Sequence, residues 1–285
     1  MDSILFIGNG FDIAHCYNTQ IKDISSYRNL KKEVKLKNEI IYDKINSTNG
    51  IDNDWQNIEE TEFNKNLEKN ETEELLKIVK NWAKNIDNNY IANKDYLYDS
   101  SFQNFLSNKN LLFVSLNYTK LLTIVYEIKK ENYLELHTSE DYAYIDGNNI
   151  YDDNNRKAKF GLPKLSLNQS TKKVPIGKLH LREFLNAYLQ NDNEIINIYV
   201  FGLSFSGNDF KYFEELFNNE ISQNLNTINV YLRKHQNVQC DKNNIRTKIE
   251  NFFKSYNKPY NTTPIEEIED DWLHLKYEIK IGNPF

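Results

Sequence analysis

The chain has 285 residues, two cysteines and a formal net charge of -6. That length suits one large α/β domain that buries its core without covalent staples, two distant cysteines exclude a disulfide scaffold, and the acidic balance disfavours nucleic acid as a partner. Cys16 and Cys240 read as reduced thiols, and no apolar run nears the roughly 18 residues of a membrane span, so a cytoplasmic protein with no membrane contact is expected. With an apolar strand opening two residues in, no secretory leader is expected.

Ser3-Ile4-Leu5-Phe6-Ile7 is an apolar run bounded by glycine, the pattern of a strand buried on both faces. Gly8-Asn9-Gly10 turns it toward a helix expected to begin near Ile13. Strand, glycine turn and helix together aim backbone N–H groups at a phosphate, which makes Gly8, Asn9, Gly10 and Phe11 candidate nucleotide contacts. A third glycine of the dinucleotide fingerprint would fall at Ile13, so a plain tight turn in an α/β core is the competing reading. Asp12, a poor neighbour for pyrophosphate, either caps the following helix or holds ribose hydroxyls.

Residues 24–107 interleave charge and apolar side chains at helical spacing and read as a helical insertion after the first strand. Leu75, Leu76, Ile78, Val79, Trp82, Ala83 and Ile86 make one face, and Lys31, Lys32, Lys35 and Lys37 read as a solvated one. Asn49 to Asp54 is a turn, after which Trp55 and Ile58 open a helix whose Glu59, Glu60 and Glu62 complement its dipole or offer a carboxylate.

Strand character returns at Leu111 to Leu116, followed by Asn117-Tyr118-Thr119 and a helix bearing Leu121, Leu122, Val125 and Ile128. Tyr133 to Leu136 leads to His137, and the Gly- and Pro-bearing stretch beyond it, before a helix near Leu179 to Leu189, reads as a lid or substrate-binding excursion. Asn197 to Phe201 leads to Gly202 and on to Asp209, then a helix with Phe213, Leu216 and Phe217. Thr227 to Leu232 is a further strand, Ile245 to Tyr256 a helix, and Trp272 to Ile279 alternates as an edge strand does. Strands alternating with helices imply right-handed crossovers and a mostly parallel, Rossmann-like sheet in a single domain over 1–285. Ligands of such sheets lie beyond the carboxyl ends of the strands, so Gly8 to Asp12, Asn117, His137 and Gly202 to Asp209 are expected to converge. In the last loop Gly202, Ser204, Asn208 and Asp209 are candidate ligand contacts, Asp209 also reads as a helix cap, and Phe205 as a plug folded into the core.

These motifs carry a resemblance. ILFIGNGFDIAH, from Ile4 to His15, closely resembles the opening of the bacteriophage abortive-infection AbiH family. Trp55 to Glu59, LNYT at Leu116 to Thr119, His137, and YVFGLSFSGND at Tyr199 to Asp209 match that family's later motifs in order. Cys16, Thr138 and Leu203 depart from it. AbiH proteins are in turn similar to sirtuin-like NAD-handling domains, which implies a sirtuin-like fold and NAD as substrate or ligand. The resemblance implies anti-phage defence, with Asn117 and His137 as catalytic residues for cleavage of the nicotinamide glycosidic bond: His137 as base or ribose partner, Asn117 orienting water or carboxamide. The alternative is a sensor that binds a nucleotide or ADP-ribose and signals to a partner protein of a defence system without chemistry. A homo-oligomer stays open, and no His, Cys, Asp or Glu spacing points to a metal.

Overall fold

The computed structural model describes residues 3–17, 19–22, 24–49, 67–136, 165–166, 174–175, 181–182, 184–187, 195–203, 205, 209, 212–213, 216–217, 224–233, 238–255, 260–262, 266–268 and 272–279. Chain order begins with β1 (Ser3–Ile7), α1 (Asn9–Cys16), α2 (Tyr27–Lys37), α3 (Glu39–Asn49), α4 (Lys69–Ala92), α5 (Lys94–Leu97) and α6 (Ser100–Ser107). It continues with β2 (Leu111–Ser115), α7 (Leu121–Tyr126), β3 (Tyr133–Glu135) and a separate small hairpin of β4 (Leu165–Ser166) and β5 (Val174–Pro175). The last elements are β6 (Ile196–Phe201), β7 (Leu225–Arg233), α8 (Val238–Ser255), β8 (Tyr260–Thr262), β9 (Glu266–Ile268) and β10 (Trp272–Ile279).

The main sheet runs β3-β2-β1-β6-β7-β10-β8, with β9 also on β10. Its first five strands are parallel neighbours and its β10 pairings antiparallel, so the fold is mixed α/β with a mostly parallel, Rossmann-like half. From β1 the chain builds outward through β2 and β3, then returns to the other side of β1 to lay down β6 and β7. The strand order therefore reverses between β1 and β6, where open α/β sheets hold their ligands. Register makes the carboxyl ends level: Ile7 lies beside Ser115 and Phe201, and Ser115 beside Glu135.

β1 and β2 are buried at every position, as strands covered on both faces must be. Leu5, Ile7, Phe113 and Phe201 face one apolar cluster with α1, α2, α4, α6 and α7, while Ile4, Phe6, Val114, Ile198 and Val200 face another with α8. In α4 the stripe Leu75, Ile78, Val79, Trp82, Ala83, Ile86 and Tyr90 is buried, and Trp82 Nε1 donates to Asn29 Oδ1 of α2 at 3.0 Å. A capping box, Glu68 and Glu71 each accepting from the other's backbone, starts that helix.

Two expectations are corrected. The first helix begins at Asn9 rather than near Ile13, because the glycine turn is itself the helix's first turn: Phe11 N–H already bonds Gly8 O at 2.9 Å. The segment Trp272 to Ile279 is not an edge strand, since β7 pairs it on one side and β8 and β9 on the other. Alternation along a strand reports which faces are covered, whereas edge status lies in the plane of the backbone, where side chains give no signal. The Trp55 to Glu59 motif lies outside the described residues.

Candidate functional site

The carboxyl ends of β1, β2 and β6 bring three of the expected segments together. Leu116 N–H bonds Ile7 O at 2.8 Å and Gly8 N–H bonds Phe201 O at 2.9 Å, so each strand's exit is tied to its neighbour's. The glycine turn packs on the loop after β6, with Gly10 N–H donating to Gly202 O at 2.9 Å. A Cβ on Gly8 would stand 2.7 Å from Gly202 O, and one on Gly10 would stand 2.8 Å from Gly202 Cα. Glycine is required here because two backbones touch. The N–H groups of Gly8, Gly10 and Phe11, which the sequence offers to a phosphate, are each bonded to a protein carbonyl.

Beneath that turn lies a buried polar cluster centred on Asp12. The residue neither caps α1 nor faces a ribose: it sits within the helix, its side chain fully enclosed between the sheet and α4. This corrects both roles expected for it, and the cause is helical phase, since starting the helix at Asn9 turns position 12 inward. Asp12 Oδ1 accepts from Asn117 Nδ2 at 2.6 Å, and Oδ2 accepts from Tyr90 Oη at 2.9 Å and from the hydroxyl of Thr119. Burial pushes the Asp12 carboxyl up from 3.8 to about 7, with Asp87 adding to the rise and the three donors opposing it. Tyr90 is pushed well above its ordinary value, first by burial and then by the Asp12 charge, and stays a donor.

Asn117, 3% exposed, has its amide nitrogen held by Asp12 and its backbone N–H by Ser115 Oγ at 3.2 Å. Flipping the amide would set its oxygen against the carboxylate, so the orientation is fixed by charge. Its Oδ1 is buried and has no hydrogen-bond partner. Asp87 accepts from Lys120 N–H at 2.8 Å, anchoring the loop after Thr119 to α4.

His15 closes a different chain of bonds. Its Nδ1–H donates to Phe11 O at 3.0 Å and its Nε2 is hydrogen-bonded to Tyr126 Oη at 2.7 Å, while Tyr126 accepts from Asp99 N–H at 3.1 Å. These bonds tie α1 to α7 and to the start of α6.

Gly8, Asn9, Gly10, Phe11, Asp12, Asn117 and Gly202 thus gather at one edge of the sheet. Asp209 is helical and half-buried, and Phe205 is packed in the core 5.5 Å from Phe213. His137, Ser204 and Asn208 lie outside the described residues. Tyr90, Thr119 and Asp87 were missed by sequence reasoning. Tyr90 extends the apolar stripe of α4 by one turn, so a stripe ending in a tyrosine was the available signal, and Thr119 stands in the LNYT motif two residues from Asn117. Among the described residues no group of His, Cys, Asp and Glu can hold a metal ion, and no helix is long and apolar enough to cross a membrane.

The family model of Bacteriophage abortive infection AbiH matches residues 60–231, more than half of the chain. That span carries Tyr90, Asn117, Thr119 and Gly202, while the glycine turn and Asp12 precede it. No curated protein and no solved structure matches. The matched span, with the glycine-turn motif docked on it through Asp12, makes this chain a member of the bacteriophage abortive infection AbiH family.

Proposed function

We propose that this protein serves anti-phage defence by binding NAD at the carboxyl edge of β1, β2 and β6 and cleaving its nicotinamide glycosidic bond. The observation that carries the reading is Asn117 Oδ1, a buried acceptor with no partner, turned away from Asp12 at the reversal edge of a Rossmann-like sheet. Leaving such a group unpaired costs about 1–3 kcal/mol, and a water or ligand hydroxyl recovers it. The sirtuin-like order of motifs supports NAD as that ligand, and His137, next in sequence after Leu136, is the proposed ribose partner. In the reaction a water oxygen bonds to C1′ of the ribose, the C1′–N1 bond breaks, and its electron pair leaves with nicotinamide as a neutral molecule. ADP-ribose is the other product, and one proton is released.

The second reading is a non-catalytic sensor of a nucleotide or ADP-ribose, and the commitment of the Gly8, Gly10 and Phe11 N–H groups to protein carbonyls withdraws those amides from the pyrophosphate of NAD and of ADP-ribose alike. Incubating the protein with NAD while following free nicotinamide, and titrating ADP-ribose by calorimetry, separates the two. Release that falls at least about a hundredfold in Asn117→Ala supports cleavage. Binding of ADP-ribose without release supports the sensor, and absence of both overturns the site.

A further inference from the structure

The two oxygens of Asp12 do different work. Oδ1 faces the amide of Asn117, a donor that cannot reverse, whereas Oδ2 faces the hydroxyls of Tyr90 and Thr119, which rotate. A proton arriving at Asp12 is therefore accommodated on Oδ2, where a hydroxyl turns from donor to acceptor, and the grip on Asn117 survives in both states. Thr119, 5% exposed and donating to the carboxylate, keeps its lone pairs for an incoming donor. Asn117 Oδ1 has no partner and Thr119 Oγ1 has committed only its proton, so each keeps acceptor capacity for a hydrogen of a water, while Asn117 Nδ2 and the Thr119 hydroxyl are held by one carboxylate.

We infer that Thr119 and Asp12 form a proton relay, in which Thr119 takes the proton of the attacking water as it passes its own to Asp12 Oδ2. The inference rests on the cleavage reading and deepens it by naming where the proton goes. Water oxygen bonds to C1′, one water proton moves to Thr119 Oγ1, the Thr119 proton moves to Asp12, and the other water hydrogen, held by Asn117 Oδ1, stays on the new hydroxyl of ADP-ribose. Charge balances, since the cationic pyridinium becomes neutral nicotinamide and the carboxylate becomes a neutral acid. Asp12 is a positioning and proton-accepting group acting through Thr119, and its rise toward neutral pH under burial fits that use. The groups facing it are Tyr90 and Asp87 from α4, Tyr133 from β3, and Asn117 and Thr119 from the loop after β2, with Cys16 of α1 beside Tyr90.

The test is the pH profile of nicotinamide release from NAD by the full chain and its Thr119→Val, Thr119→Ser and Asp12→Asn variants. The parent rate is expected to rise with pH through about 7 and then level. Thr119→Val, close in shape but lacking the hydroxyl, is expected to lose roughly a hundredfold or more in kcat with little change in KM, and Thr119→Ser to restore most of it. Asp12→Asn is expected to abolish the limb near neutral pH, and because it risks the fold, Thr119→Val carries the decision on its own. An active parent with unchanged kcat and profile in Thr119→Val overturns the relay and leaves the cleavage reading standing. A parent that releases no nicotinamide overturns the cleavage reading and the relay with it.

Discussion

Asp12 is an acid placed where water cannot solvate its charge, and its three donors offset only part of that loss. Its folded value of about 7 lies above the unfolded 3.8, so the fold binds this proton more tightly than the unfolded chain does. The sign follows: the group's stabilising contribution is complete below about pH 4 and is lost as pH rises through about 7. Its size is of the order of 4 kcal/mol. Asp12→Asn, which carries no such charge, is expected to flatten this part of the stability profile. Urea midpoints at pH 5 and pH 8 check it: the parent should lose more stability than the variant across that interval, and parallel losses would mean that Asp12 stays ionised throughout.

At the scale of elements, the decisive contact is between two loops. Gly202 has φ +69, and a Cβ there would stand 2.0 Å from Phe11 N. The same loop holds Phe205 at φ 49, an aromatic kept in a left-handed conformation by its packing in the core. Left-handed backbone costs an L side chain about 1–2 kcal/mol, and the clash with α1 adds to it. Gly202→Ala is expected to lose at least about 2 kcal/mol by denaturant midpoint, since the turn and the β6 loop must part to admit the methyl. An unchanged midpoint would mean that the two loops are not in contact. Gly10→Val meets Gly202 in the same way, so it disturbs the fold and is no clean probe of phosphate binding.

For the whole molecule, stability is expected to be graded across the sheet. β1 is buried at all positions and lies between β2 and β6, whereas β8 is short and pairs only β10 among the described strands. Native-state hydrogen exchange should release β1 amides only through global unfolding, with full denaturant dependence, and β8 amides through local opening. Equal protection in the two would show that the sheet opens as one unit.

The strands and their parallel arrangement were legible in the sequence because a strand covered on both faces must be continuously apolar, and SILFI and LLFVS admit no other burial. The level strand ends followed from the same patterns, and with them the meeting of Gly8 to Asp12, Asn117 and Gly202. The AbiH motifs were legible as short strings, and those from Leu116 to Asp209 lie within the span that the family model matches, residues 60–231. Helical phase was not: a start at Asn9 instead of Ile13 turned Asp12 from an outward group into a buried one. Nor was the packing partner of the glycines, because Gly8 and Gly10 state only that something approaches closely, and tertiary packing brings the loop at Gly202 against them. Tyr90 and Thr119 reach one carboxylate from 78 and 107 residues away, a proximity that local propensity does not encode and that exists only once α4 is laid across the ends of β1 and β2.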